Sequence, residues 1–284
     1  NSKFSKLKVN LHITTKIYFR LNHRFIIMSN FFENLRIFLN SRKIFKNWYI
    51  YPKVYYKLIS DKFPIFETKS GLKIKIRKYS TDLMALTHVW LIEEYKSKNF
   101  EINDTDVIID VGGHIGLFSL YASQFCKNGL IYSFEPVPEN YDLLIDNVRS
   151  NDLNQIKPFN LAVSNSNSDI KLYLNDDEAG HSMFSKSSKS ITVDSISLQQ
   201  IFDNNNIENC NFLKLDCEGT EYEILENLPT SYFDKIKKIV IEYHMADTHP
   251  ELLENLKKIL IKQNYSLKTK KLFSDIGFLY ALKN

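Results

Sequence analysis

The chain has 284 residues, 44% of them hydrophobic and 25% charged, enough for one α/β domain with an appendage and a core that needs no disulfide staples. Its three cysteines, Cys126, Cys210 and Cys217, form no C-x-x-C pair and no zinc tetrad, which excludes a disulfide-framed module and points to a reducing cytoplasm. The net charge of +4 hides an asymmetry: residues 1–60 carry 12 Lys and Arg against the single acid Glu33, so that stretch is +11 and the remainder −7. A basic stretch beside an acidic domain predicts contact with a phosphate-bearing surface, anionic lipid or nucleic acid. No run of about 18 apolar residues is present, so no membrane span is expected.

Residues 1–27 have no Met, no clean apolar run and no small-residue cleavage site, so no signal peptide is expected. Met28-Ser-Asn-Phe-Phe-Glu33 has the character of a start, and composition leaves open whether residues 1–27 are native. Phe31, Leu35, Phe38, Leu39 and Phe45 fall near one side, interspersed with Arg36, Arg42 and Lys43 and followed by Lys46. That spacing predicts a basic amphipathic helix, broken at Ser41. Tyr49, Tyr51, Tyr55 and Tyr56 follow, and because aromatic stripes usually pack as core, a helix docked on the domain ranks just ahead of one lying on a membrane. Residues 1–60 are thus read as a basic extension of a domain spanning 61–284.

Phe63 to Arg77 reads as a hairpin turned at Ser70-Gly71, with Leu72, Ile74 and Ile76 alternating against Lys73, Lys75 and Arg77. Ser80 or Thr81 then caps a helix reaching Tyr95. From Val107 strands and helices alternate: strand 107–111, helix 115–126, strand 130–134, helix 138–150, strand 156–161. After an interruption the pattern resumes with strand 211–215, a helix from Thr220, strand 236–242, helix 250–263 and strands 264–270 and 277–282. The expected fold is α/β, a doubly wound, mostly parallel seven-stranded sheet. The interruption, about 165–195, reads as an inserted hairpin of Ile170–Leu174 and Ile191–Val193 around a polar loop; loops of about 15 residues in a compact domain are usually functional or disordered.

The most informative stretch is Val107-Ile-Ile-Asp-Val-Gly-Gly-His-Ile-Gly116: a buried strand, a carboxylate at its end, and a glycine turn opening a helix. A pyrophosphate site would put a glycine where Asp110 stands. An aspartate there repels pyrophosphate and accepts from an ammonium group, which favours S-adenosylmethionine over NAD. Glu135 closes the next strand about 20 residues beyond the turn, where an acid usually holds a ribose diol. Asp110, Gly112, Gly116, Glu135 and Asn160 are the candidate cofactor residues.

With these stand Phe134-Glu-Pro136, Asn160-Leu-Ala-Val-Ser164, Lys214-Leu-Asp-Cys-Glu-Gly-Thr-Glu221 and Ile241-Glu-Tyr-His244. Together they resemble the FkbM-type family of S-adenosylmethionine-dependent methyltransferases, from about Arg77 to the C-terminus. The resemblance implies a class I methyltransferase fold and methyl transfer to a hydroxyl of a sugar, glycolipid, glycan or polyketide-like acceptor. It does not identify that acceptor.

Open parallel sheets bind ligands at the carboxyl ends of their strands. Asp110, Glu135, Asn160, Asp216, Glu218, Glu242 and His244 all fall at or just past such ends. Methyl transfer is an in-line displacement and the acceptor alcohol must lose a proton. His244, with the right intrinsic pKa, is the expected general base, and Asp216 and Glu218 the groups that position it or the acceptor. Glu242, and His181 and Ser182 of the inserted loop as a lid, are read as acceptor-binding. Lys214 is assigned to an ion-paired helix start. Asp216, Glu218, Glu242 and His244 could gather Mg²⁺, but nothing in their spacing requires it and no metal ligand is assigned.

A competing reading is a non-catalytic membrane- or nucleic-acid-binding module built on the basic tail. A nucleic-acid methyltransferase stands between the two. Adenine-modifying enzymes place a proline- and aromatic-bearing run after the fourth strand to stack a flipped base, and here that position is Asp216-Cys-Glu-Gly219, so nucleic acid is not the expected partner. The expected location is cytoplasmic, peripheral at a membrane if the tail binds lipid.

Overall fold

A computed structural model describes residues 31–165, 169–174 and 189–284. Helices α1 (Phe31–Ile44) and α2 (Ile50–Tyr55) precede a hairpin of β1 (Ile65–Glu67) and β2 (Lys73–Lys75); α3 (Asp82–Leu86) then continues into a π-helical turn over Thr87–Ile92. The helix expected to break at Ser41 runs on to Ile44 instead. The Ser41 hydroxyl donates back to Phe38 O at 2.7 Å, so it bonds along the helix rather than competing with it.

These helices are docked on the domain. Phe45, Tyr51 and Val54 are buried in one core with Phe66 and Trp90. Asn40 Nδ2 donates to Leu91 O at 2.9 Å, and Tyr51 and Thr87 share a hydroxyl hydrogen bond of 2.7 Å. Phe45→Ala should therefore destabilise the protein by about 3–5 kcal/mol through the cavity it leaves. Urea unfolding measures this, and a loss under about 0.5 kcal/mol, the range of surface substitutions, would make the segment peripheral.

The wound part follows as β3 (Val107–Val111), α4 (Leu117–Ser123), β4 (Leu130–Phe134), α5 (Pro138–Arg149) and β5 (Ile156–Phe159). Next come β6 (Ala162–Ser164), β7 (Ile170–Leu174), β8 (Lys189–Val193), β9 (Ser195–Ser197) and α6 (Leu198–Asn204). The chain closes with β10 (Phe212–Leu215), α7 (Glu221–Glu226), α8 (Thr230–Phe233), β11 (Lys238–Tyr243), α9 (Pro250–Lys262), β12 (Tyr265–Lys271) and β13 (Gly277–Lys283). Seven strands form the main sheet in the order β12-β13-β11-β10-β3-β4-β5, with β13 antiparallel to both neighbours and the other pairs parallel. This is the expected class I methyltransferase architecture.

Strand periodicity builds the two faces. Ile108, Ile131, Phe212 and Val240 point into the core under α4, α5 and the N-terminal helices. Ile109, Leu213, Leu215, Ile239 and Ile241 point into the core under α6, α7 and α9. Both faces being covered explains why these strands read as continuous apolar runs. Going outward from β3 the chain lays down β4 and β5, then returns to place β10 on the other side of β3. The strand order thus reverses between β3 and β10, where such sheets open a crevice.

The inserted hairpin is present as β7 paired antiparallel with β8. His181 and Ser182, the lid residues expected to bind the acceptor, lie outside the described residues. No described helix is long and apolar enough to cross a membrane.

Candidate active site

The glycine turn is fastened to the ends of two strands. Gly112 N and Gly113 N donate to Phe134 O at 3.0 and 2.9 Å, and His114 N donates to Glu135 Oε2 at 2.8 Å. Gly112 has φ +77, and a Cβ on it would sit 1.7 Å from the Asp216 carbonyl oxygen. Glycine is needed there because the end of β10 presses on the turn, not only because a ligand must approach. Gly116, with φ +88, starts α4.

Asp110 lies near the end of β3. It is fully buried: Oδ2 accepts from Ser119 Oγ at 2.6 Å and Ser133 Oγ at 3.1 Å, and Oδ1 meets the Lys214 ammonium at 3.1 Å, off the hydrogen-bond direction. Its carboxylate supports the turn from beneath, held by two hydroxyls and the lysine. Lys214 is no helix-start residue. Its ammonium donates to Gly112 O at 2.7 Å and Val111 O at 3.3 Å and lies 3.5 Å from Asp216 Oδ2. Burial alone would push this lysine down, but Asp110 and Asp216 outweigh it and hold the ammonium above its ordinary range.

Glu135 is buried at the end of β4. Besides His114 N, it accepts from Val137 N at 3.0 Å and Asn140 Nδ2 at 3.3 Å, and burial pushes its carboxyl up to about 6 against those bonds. Asn140 Oδ1, beside it, is buried with no hydrogen-bond partner among the described residues. Asn160 braces the same strand end. Its Nδ2 donates to Glu135 O at 2.9 Å and Pro136 O at 3.0 Å, so it clamps the backbone after β4.

Four of the expected residues gather at the ends of β10 and β11. Glu218, in a left-handed conformation (φ +53), and Gly219 (φ +108) make the tight turn out of β10. Glu218 Oε2 lies 3.7 Å from His244 Nε2, while the other side of the ring, Nδ1, is 3.1 Å from Glu221 Oε1. Glu221 is completely buried and also accepts from His244 N at 3.0 Å and Gly219 N at 2.8 Å, tying the two strand ends together. Tyr95, from the segment after α3, reaches in to donate to Asp216 Oδ2 at 3.1 Å, with Glu242 Oε2 at 3.4 Å. One hydroxyl has one proton, so both contacts are satisfied when Glu242 carries its own. Burial and then Asp216 push Glu242 well above the usual carboxylate range, which agrees.

His244 has a carboxyl group on each side of its ring. Burial would lower its pKa, but Glu221, then Glu218 and Asp216, raise it well above its ordinary value. These neighbours favour the protonated ring, which has to lose a proton before it can take one. Glu218 has the opposite character. Burial pushes its carboxyl up to about 7, partly offset by His244, and its side chain remains 32% exposed. Asp216, Glu218 and His244 place donor atoms within 4.8 Å of one another, close enough to hold a divalent cation, and Glu242 is not in that group. Tyr95 had no periodicity or motif to mark it, whereas Lys214, a charge inside an apolar strand, was such a signal.

The pattern described as the methyltransferase FkbM domain matches residues 110–267, more than half of the chain. The chain belongs to the FkbM methyltransferase family. It is accordingly an S-adenosylmethionine-dependent methyltransferase. The hexuronic acid methyltransferase AglP of Haloferax volcanii is 24% identical over 204 residues, covering 69% of this chain and 82% of that one. Methyltransferase sdnD of Sordaria araneosa is 26% identical over 169 residues, covering 48% of this chain and 65% of that one. Among solved structures, precorrin-6y C5,15-methyltransferase of Geobacter metallireducens is similar at a TM-score of 0.43 and 14% identity, covering 65% of this chain and 83% of that one.

The residues of this FkbM methyltransferase fit the cofactor at its ribose end. A diol brings two hydroxyl donors, and Glu135 with the partnerless Asn140 oxygen offers acceptors beside the glycine turn.

Proposed function

We propose that the protein methylates a hydroxyl of a carbohydrate-containing acceptor in a reducing compartment, with Glu218 taking the hydroxyl proton. The observation that carries this is the Glu218–His244–Glu221 row at the end of β10 and β11: a half-exposed carboxyl, backed by an imidazolium that a fully buried carboxylate fixes in place. Bound S-adenosylmethionine supplies an electrophilic methyl group. The chain's own task is to align the acceptor oxygen and remove its proton. The positive charge of His244 favours the ionised form of Glu218, and Glu221 orients the ring through Nδ1. Asp216, held by Tyr95 and Lys214 from two sides, accepts from a hydroxyl of the acceptor in this reading. A sugar with several hydroxyls suits a cleft edge this rich in carboxyl groups, and the named activity of the Haloferax relative on hexuronic acid supports the same class.

The direct test incubates the purified full chain with methyl-labelled S-adenosylmethionine and uronic-acid-containing oligosaccharides, with and without EDTA. Label on a sugar hydroxyl, retained in EDTA, is the expected result. Cofactor binding by calorimetry with no label on any hydroxylated acceptor would favour the non-catalytic module. Activity lost in EDTA and restored by Mg²⁺ would instead make the Asp216, Glu218 and His244 group a metal site and remove Glu218 as base.

A further inference from the structure

Residues 31–80 carry twelve Lys and Arg against three acids, Glu33, Asp61 and Glu67, although α1 and α2 use one side to dock on the domain. The other side is not uniformly polar. At the end of α2 and of the following hairpin, Tyr56, Leu58 and Tyr79 are 65%, 75% and 63% exposed. Around them stand Lys57, Lys62 and Lys78: Lys57 Nζ and Lys78 Nζ lie 5.4 and 4.2 Å from the Tyr79 ring centre, and Lys78 N donates to Lys62 O at 2.9 Å. None of these three lysines forms an ion pair among the described residues. Asp61, the one acid in the cluster, accepts from Phe63 N.

We propose that this tip is a docking surface for an anionic lipid bilayer. Tyrosine rings belong at the headgroup level, a leucine can enter the acyl boundary, and lysines around them meet lipid phosphates. Leu58 decides between polyanions: nucleic acid would reward the lysines and the rings, but not an aliphatic side chain pointing outward. The placement also suits the reaction. Arg77, the residue before Lys78, has Nη2 3.2 Å from His114 Nε2 in the glycine turn, so the tip adjoins the cofactor end of the crevice. A bilayer held there would present acceptors anchored in it.

Sedimentation of the full chain with vesicles tests this. The protein should pellet with phosphatidylglycerol-containing vesicles, not with phosphatidylcholine alone, and binding should weaken as salt is raised. Lys57→Glu with Lys78→Glu, and separately Leu58→Ser with Tyr79→Asn, should each lower vesicle affinity roughly tenfold or more, with cofactor affinity by calorimetry unchanged. Wild-type protein that ignores phosphatidylglycerol overturns the proposal. So does a charge-reversed variant that loses binding to single-stranded RNA and vesicles alike while the Leu58 and Tyr79 variant keeps both, since the surface would then be a general polyanion site.

Discussion

Glu218→Gln should lower kcat by about 10²–10⁴ with little change in cofactor affinity, because the amide keeps the shape of the side chain but cannot take a proton. The pH profile carries the sharper expectation. A base must be ionised to act, so kcat/KM of the wild-type enzyme should rise with pH through about 7, where burial has pushed the Glu218 carboxyl. The Gln variant should lose the rising limb. His244→Ala should move that limb to higher pH, since His244 is what lowers Glu218. Steady-state kinetics across pH decides between the two residues: a limb that vanishes in His244→Ala and survives in Glu218→Gln returns the base role to histidine.

How much of this was legible in the sequence differs from element to element for physical reasons. The bounds of β3 and β4 are as read, because apolar runs ended by glycine and proline leave little freedom. The convergence of Asp216, Glu218, Glu242 and His244 at one sheet edge also followed from strand order and the rule that ligands bind at strand ends. The role of Asp110 was not legible. The register of β10 on β3 sets Lys214 opposite Asp110, and a pairing between strands about a hundred residues apart has no local signature. For His244 the limit is similar. Its ordinary pKa was visible, but the charge that Glu221 and Glu218 impose depends on a turn that only the fold closes. Tyr95 lies in an irregular segment and enters the site through tertiary packing alone.

A large effect on stability is expected from Lys214→Met. The side chain is nearly isosteric and apolar, so packing against Tyr95 and Phe118, over whose rings the ammonium sits at 5.7 and 5.9 Å, is largely kept. What is lost is the cation beneath the glycine turn. Asp110, fully buried, would retain only the hydroxyls of Ser119 and Ser133, and Gly112 O would lose its 2.7 Å donor. Breaking a buried pair by removing one partner typically costs about 3–5 kcal/mol, because the other charge stays desolvated. Asp110→Asn in the Lys214→Met background removes that stranded charge, so the double variant should be more stable than Lys214→Met alone by about 1–3 kcal/mol. Urea denaturation of the wild type, both single variants and the double variant measures the cycle. The turn should also loosen, and calorimetry should show weaker S-adenosylmethionine binding in Lys214→Met, partly recovered in the double variant. A single variant that loses less than about 1 kcal/mol, as exposed ion pairs do, would mean that Lys214 does not balance Asp110 and that the turn is held by its backbone bonds to Phe134 alone.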